Sequence, residues 1–141
     1  WLVRIIVQQA NSQSEKNECI SIRRSVFIEE QNIPEKIELD DSLIKSTNFL
    51  AIHDDNFIGT ARYRITNLGI KLERFAVLRD FRGIGVGKSL VKFIIKSIKS
   101  KSTIYLHAQQ PVIRFYTKLG FIPVGDIFYE ADIPHKKLIK Q

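Results

Sequence analysis

RGIGVGKSL, residues 82–90, decides how this chain is read. Three glycines alternate at 83, 85 and 87, and Lys88 and Ser89 follow them. Upstream, residues 70–78 read as a strand. Downstream, Val86, Leu90, Val91, Ile94, Ile95 and Ile98 recur at helical spacing, with Lys88, Lys92, Lys96 and Lys99 on the other side. A glycine-rich turn from a strand into an amphipathic helix either only joins the two or holds an anion, and the physics favours the anion. The first N–H groups of such a helix have no intrahelical acceptor. Its dipole favours a negative charge by about 0.3–1 kcal/mol, and missing side chains let a large anion reach the backbone. Arg82 and Lys88 add full charges. Two nucleotide signatures fail here. G-x-x-x-x-G-K-[ST] needs glycine at 82, where Arg stands, and G-x-G-x-x-G needs glycine at 88, where Lys stands. A pyrophosphate on another carrier fits the loop.

The rest of the chain frames that loop. Its 141 residues suit one domain, 1–141. Hydrophobic residues at 44% and charged residues at 26% are ordinary for a globular protein. No apolar run approaches the ~18 residues of a membrane span, and no basic-then-apolar leader is visible, so neither membrane insertion nor secretion is expected. Cys19 is the only cysteine, which excludes an internal disulfide and a multi-cysteine metal site and fits a reducing cytoplasm. The net charge of +7 admits nucleic acid, a membrane surface or an anionic small molecule. Six of the fifteen acids fall between Glu29 and Asp41, which a uniformly basic nucleic-acid binder would not need. No nucleic-acid motif accompanies the lysines.

Residues 2–8 read as a strand and 17–31 as a helix with Cys19, Ile22, Val26 and Phe27 on its apolar face. Pro34 ends it, and 35–42 is an acidic loop or short helix. Strands 48–53 and 57–66 flank the turn Asp54-Asp55-Asn56. Residues 103–108 form a strand, Pro111 opens a helix running to Lys118, and Gly120 stops it. Strands 121–130 and 135–140 close the chain. The pattern predicts an α/β (α+β) fold with a mixed, mostly antiparallel sheet.

The glycine loop also carries a resemblance. Arg82-Gly83-Ile84-Gly85-Val86-Gly87 matches the Q/R-x-x-G-x-G/A signature of the GNAT superfamily of acyl-CoA-dependent N-acyltransferases. Residues 73–81, ERFAVLRDF, match that family's strand before the loop, and Phe115-Tyr116-Thr117-Lys118-Leu119-Gly120-Phe121 matches its F-Y-x-x-x-G-F segment. VFIEEQNIPEKIELDD (26–41) and EADIPHKKL (130–138) look similar to its ElaA-like branch. The resemblance implies a twisted sheet of about six or seven strands with about four helices. It implies that the pyrophosphate belongs to coenzyme A, held at Arg82, Gly83, Ile84, Gly85, Val86, Gly87 and Lys88, with acetyl-CoA as cosubstrate and no metal. It also implies that the backbone of Phe75, Ala76 and Val77 pairs with pantetheine like an added strand. Dimers are common among such proteins, so a homodimer is one expectation.

Acyl transfer from a thioester to a small-molecule or peptide amine sets three demands. The amine must be neutral, which for a lysine-like group at pH 7 costs about 4.6 kcal/mol. The oxyanion needs a donor, here a backbone N–H near Ala76 or Val77. The leaving thiolate needs a proton. The resemblance gives that last role to Tyr116, whose hydroxyl stays protonated where a thiol would not; the other reading is an aromatic that only packs the 111–119 helix on the sheet. Glu73 is either a base, sharing a face with Phe75 and Val77 by strand alternation, or part of an ion pair with Lys71 or Arg64. His107, ending its strand, is either a base near the acceptor or structural. Glu30, His135 and the acidic run Glu35, Glu38, Asp40 and Asp41 are further candidates for the acceptor side. His53 reads as a surface residue and Cys19 as a structural thiol. Two other classes remain in view, a CoA-binding module without catalysis and a basic nucleic-acid binder.

Overall fold

The computed structural model describes residues 4–35 and 45–141. Seven strands form one sheet in the order β1-β2-β3-β4-β5-β7-β6. They are β1 (Ile6–Ala10), β2 (Thr47–His53), β3 (Asn56–Thr66), β4 (Gly69–Val77), β5 (Ile104–Gln109), β6 (Phe121–Glu130) and β7 (Ile133–Lys140). Among the described residues there are three α-helices, α1 (Gln13–Arg23), α2 (Val86–Ser97) and α3 (Ile113–Thr117), one fewer than expected. Pairs β1–β2, β2–β3, β5–β7 and β6–β7 are antiparallel, and β4–β5 is parallel. A tight turn cannot join parallel strands. The chain between β4 and β5 therefore has to cross over, and this crossover contains the glycine loop and α2.

The chain groups into two compact units, Trp1–Tyr63 with Arg74–Lys99, and Arg64–Glu73 with Ser100–Gln141. In the first, α1 starts at Gln13, four residues earlier than its apolar spacing predicts. The cause is a capping box. Ser12 Oγ accepts from Glu15 N–H at 3.1 Å, and Glu15 Oε1 accepts from Ser12 N–H at 3.0 Å. The helix then widens into a π-helical segment, Arg24–Glu30. Its apolar face enters a core of Ala10, Cys19, Ile22, Val26, Leu50 and Ala76, flanked by Phe27, Phe57 and Leu78. The β2–β3 hairpin turns on Asp54 and Asp55, both left-handed (φ 48° and 64°), which suits a two-residue turn.

Helix α2 buries Val86, Leu90, Val91 and Ile94, each worth about 1.5–3 kcal/mol, and exposes Lys88, Lys92 and Lys96. Gly59 on β3 makes that packing possible. A Cβ there would lie 2.8 Å from Val86 Cγ1 and 3.4 Å from the Ala76 carbonyl. The first residue of the helix is thus seated directly against the strand.

In the second unit, Leu106 faces Leu138 and Tyr105 faces Ile139 across β5–β7. Strands β6 and β7 join through Ala131 and Asp132, again both left-handed (φ 49° and 62°). With so short a turn, β7 begins at Ile133 rather than at 135. Pro111 lies in a 3-10 turn, Gln110–Val112, that precedes α3 instead of in its first turn. Strand β1 also departs from its expected place, running over Ile6–Ala10 rather than 2–8; residues 1–3 lie outside the described residues.

Candidate active site

The crossover loop leaves backbone donors open at the start of α2. A 3-10 turn, Arg79–Phe81, leads to Arg82, and Gly83 and Gly85 adopt φ of 80° and 95°. Residues with a Cβ disfavour that left-handed backbone. No atom would crowd a Cβ at either position, so conformation, not internal packing, requires glycine there. Gly85 caps α2, and its carbonyl accepts from Ser89 N–H at 3.0 Å. The N–H groups of Val86, Gly87 and Lys88 precede that first bond and have no intrahelical acceptor. Ile84 and Lys88 stand exposed beside them.

Arg82 departs from the sequence expectation. Its guanidinium does not stand free beside the loop. The two terminal nitrogens donate to Glu30 Oε2 and Oε1 at 2.6 and 2.7 Å, and Nε donates to the Val77 carbonyl at 2.9 Å. The positive charge assigned to the anion is thus matched by a carboxylate of the first helix. The same contact makes Glu30 a partner of Arg82. Hydrogen bonding from Arg82 is the main reason its carboxyl sits below the usual range.

On β4 the parallel register pairs Ile70, Lys71 and Leu72 with Ile104, Tyr105 and Leu106, and ends there, short of Phe75–Val77. Glu73 accepts from Arg64 Nε at 3.1 Å and lies 3.5 Å from Lys71 Nζ, with only 10% of its side chain exposed. Both cations named from the sequence are its partners. Arg74 has φ of 60°, yet burial still alternates along the strand, with Ile70, Leu72 and Ala76 buried and Glu73, Phe75 and Val77 half-buried.

Tyr116 is buried, with edge-to-face contacts to Phe115 (4.9 Å) and Phe121 (5.9 Å). Burial pushes its hydroxyl well above the ordinary phenol range, so it stays protonated at any physiological pH. His107 forms a short bond, Nδ1 to Glu130 Oε1 at 2.7 Å, and its ring lies edge-on to Phe128 at 4.8 Å. With Nδ1 held by a carboxylate, Nε2 is the nitrogen available for proton transfer. His135 donates from Nδ1 to the Ile133 carbonyl at 2.7 Å and brings Nε2 to 3.8 Å from the other Glu130 oxygen. One carboxylate is thus hydrogen-bonded to His107 and stands near a second imidazole. Its pKa is lowered, first by the His107 bond and further by Lys71 and the two histidines.

Glu130 was not singled out in the sequence. Its partner His107 lies 23 residues away and depends on the β5–β7–β6 register, although the segment EADIPH does place Glu130 and His135 on one hairpin. Beside them a cavity of about 260 Å³ is lined by Gln110, Ile113, Pro123, Ile127, His135 and Lys136.

Cys19 is buried, and burial raises its thiol pKa, which leaves a poor nucleophile. His53 is half-buried beside the hairpin turn, donating to the Arg4 carbonyl at 3.1 Å. Glu35 pairs with Arg24 at 2.8 Å, while Glu38, Asp40 and Asp41 lie outside the described residues. Among the described residues no group of three or more His, Cys, Asp or Glu could hold a metal ion. None of their helices is long and apolar enough to cross a membrane.

Comparison with known proteins follows the same lines. A family model, Acetyltransferase (GNAT) family, matches residues 16–121. The uncharacterized protein YyaT of Bacillus subtilis (strain 168) is 36% identical over 140 residues, covering 96% of this chain and 95% of its own. The uncharacterized N-acetyltransferase YjcF of the same organism is 30% identical over 134 residues, covering 93% and 96%. The crystal structure of Escherichia coli ElaA matches with a TM-score of 0.84 at 28% identity, covering 98% of this chain and 100% of that one.

Proposed function

This chain belongs to the GNAT acetyltransferase family, and from that premise we propose that it moves an acetyl group from acetyl-CoA directly to a primary amine. The observation that carries the reading is the loop from Arg82 to Lys88, with left-handed Gly83 and Gly85 ahead of the α2 amides. Those amides and Lys88 hold the pyrophosphate, and the Phe75–Val77 backbone receives the pantetheine.

The amine nitrogen attacks the thioester carbonyl, a C–N bond forms and the C–S bond breaks. His107 Nε2 takes the amine proton, directly or through water. Glu130 holds the opposite nitrogen and stabilises the imidazolium that results. Tyr116 supplies a proton to the departing sulfur and regains one from solvent. A backbone N–H near Ala76 or Val77 serves the oxyanion. Glu73, tied to Arg64 and Lys71, is less suited to be the base, because two cations stabilise its ionised form. The cavity beside His135 has room for a small amine or a single side chain rather than a drug-sized molecule.

Calorimetric titration with acetyl-CoA tests the first half, with a micromolar Kd expected. A panel of small amines, amino-acid amides and peptides, followed by mass spectrometry for the added acetyl group, tests the second. Absence of acetyl-CoA binding overturns the proposal. Binding without turnover on any amine turns it into a CoA-binding module.

A further inference from the structure

The F-I-E-E-Q stretch at the end of the first helix has no part in the transfer chemistry just described, yet its last acid touches the glycine loop. We infer that Glu30 is a positioning residue that clamps Arg82, so that Arg82 works as a strut for the loop and not as a phosphate ligand. The inference rests on the acyl-CoA reading of that loop.

The geometry is that of a rigid joint. Arg82 makes a two-toothed contact with Glu30 at 2.6 and 2.7 Å and a third bond to the Val77 carbonyl at 2.9 Å. One planar group thereby ties together three points of the chain: the end of the π-helical segment, the end of β4 and the residue just before Gly83. A guanidinium is suited to this, because its donors are fixed in one plane. The π-helical widening is part of the joint. Gln31 N–H reaches back five residues to Val26 O at 3.1 Å, and Glu30 is the last residue of that segment. The carboxylate also lies 3.9 Å from Arg79, so it offsets positive charge along the approach to the loop. An arginine meant to attract phosphate would gain nothing from such a partner. A loop whose two left-handed glycines need external support would gain its entry angle.

The two roles predict opposite signs. If Arg82 is a strut, Glu30→Gln weakens acetyl-CoA binding by about fivefold, because the loop loses its anchor. If Arg82 is a phosphate ligand restrained by Glu30, the same change frees a cation and tightens binding. Arg82→Lys keeps the charge but cannot make the fork, so the strut role predicts a loss of the same size. Calorimetry on the full chain with acetyl-CoA would compare the wild type, both single variants, the Glu30→Ala/Arg82→Ala double variant and the exchanged pair Glu30→Arg/Arg82→Glu. The double variant should lose no more than either single one, and the exchanged pair should recover part of the affinity. In steady state, KM for acetyl-CoA should rise while kcat at saturation stays unchanged. Hydrogen exchange of the 83–88 amides without ligand should quicken in Glu30→Gln. Tighter binding by Glu30→Gln, or unchanged binding by Arg82→Lys, would overturn the inference. A wild type that does not bind acetyl-CoA would instead overturn the acyl-transfer reading, and with it the ligand the strut serves.

Discussion

The turn at residues 82–88 and the β5–β7 region do their work with different parts of the chain. The turn offers main-chain N–H groups, and its demands on sequence are conformational: two left-handed positions and a helix behind them. The second region offers side chains, an imidazole on β5 fixed by a carboxylate at 2.7 Å and, on α3, a phenol buried against two phenylalanines. The first kind of site tolerates changes in side chains that neither brace the turn, as Arg82 does, nor face the anion, and it fails when the backbone is constrained. The second kind behaves the other way.

The sharpest test of that division is Tyr116→Phe. Removing one hydroxyl should lower kcat about a hundredfold while KM for acetyl-CoA moves by less than about twofold. A variant that raised KM as much as it lowered kcat would break the division, because a chemical group would then be acting as a binding group. A smaller effect is expected at the turn. Gly85→Ala must hold an L side chain in left-handed backbone at a cost of about 1–2 kcal/mol, so acetyl-CoA should bind about tenfold more weakly with kcat retained. Ile84→Ala, one residue away and exposed, should leave the affinity unchanged; equal losses in both variants would show that side chains matter in the loop after all.

Acid stability should show the smallest effect. The folded carboxyl of Glu130 titrates below its unfolded range, chiefly through the His107 bond. Its contribution to stability is therefore present above the unfolded pKa and disappears as pH falls through the folded one. Denaturant melts of the wild type and Glu130→Gln should differ modestly at neutral pH and converge in acid, the carboxylate being nearly half exposed. Curves that stay apart at low pH would mean that shape rather than charge links Glu130 to its histidines.

Much of the turn could be read directly because its signals are local. Glycine spacing, the strand before it and the apolar stripe after it all fall within a few turns of chain, and the Phe-Tyr-x3-Gly-Phe segment is equally compact. The start of α1 was legible as well, in Ser12-x-x-Glu15, but Gln13 to Lys16 carry no apolar stripe, so a search by hydrophobic period begins too late. Other features depend on distant chain. Arg82 and Glu30 are 52 residues apart, and His107 and Glu130 are 23 apart. Their meetings are set by the sheet register and by the added residue per turn of the π segment. Left-handed Arg74 carries no signal at all, since a non-glycine residue within a strand pattern gives no reason to expect it.

The paired left-handed turns at Asp54–Asp55 and Ala131–Asp132 also bear on the order in which the chain folds. Each closes a hairpin over two residues, and one lies in each compact unit. Loop closure is least costly there, so β2–β3 and β6–β7 can zip on a timescale of about 1–10 μs. The parallel β4–β5 ladder has to wait for the whole intervening stretch to be laid down. The glycine turn belongs to that stretch, so the topology predicts that the loop takes its shape late, and refolding rates should not depend on added acetyl-CoA.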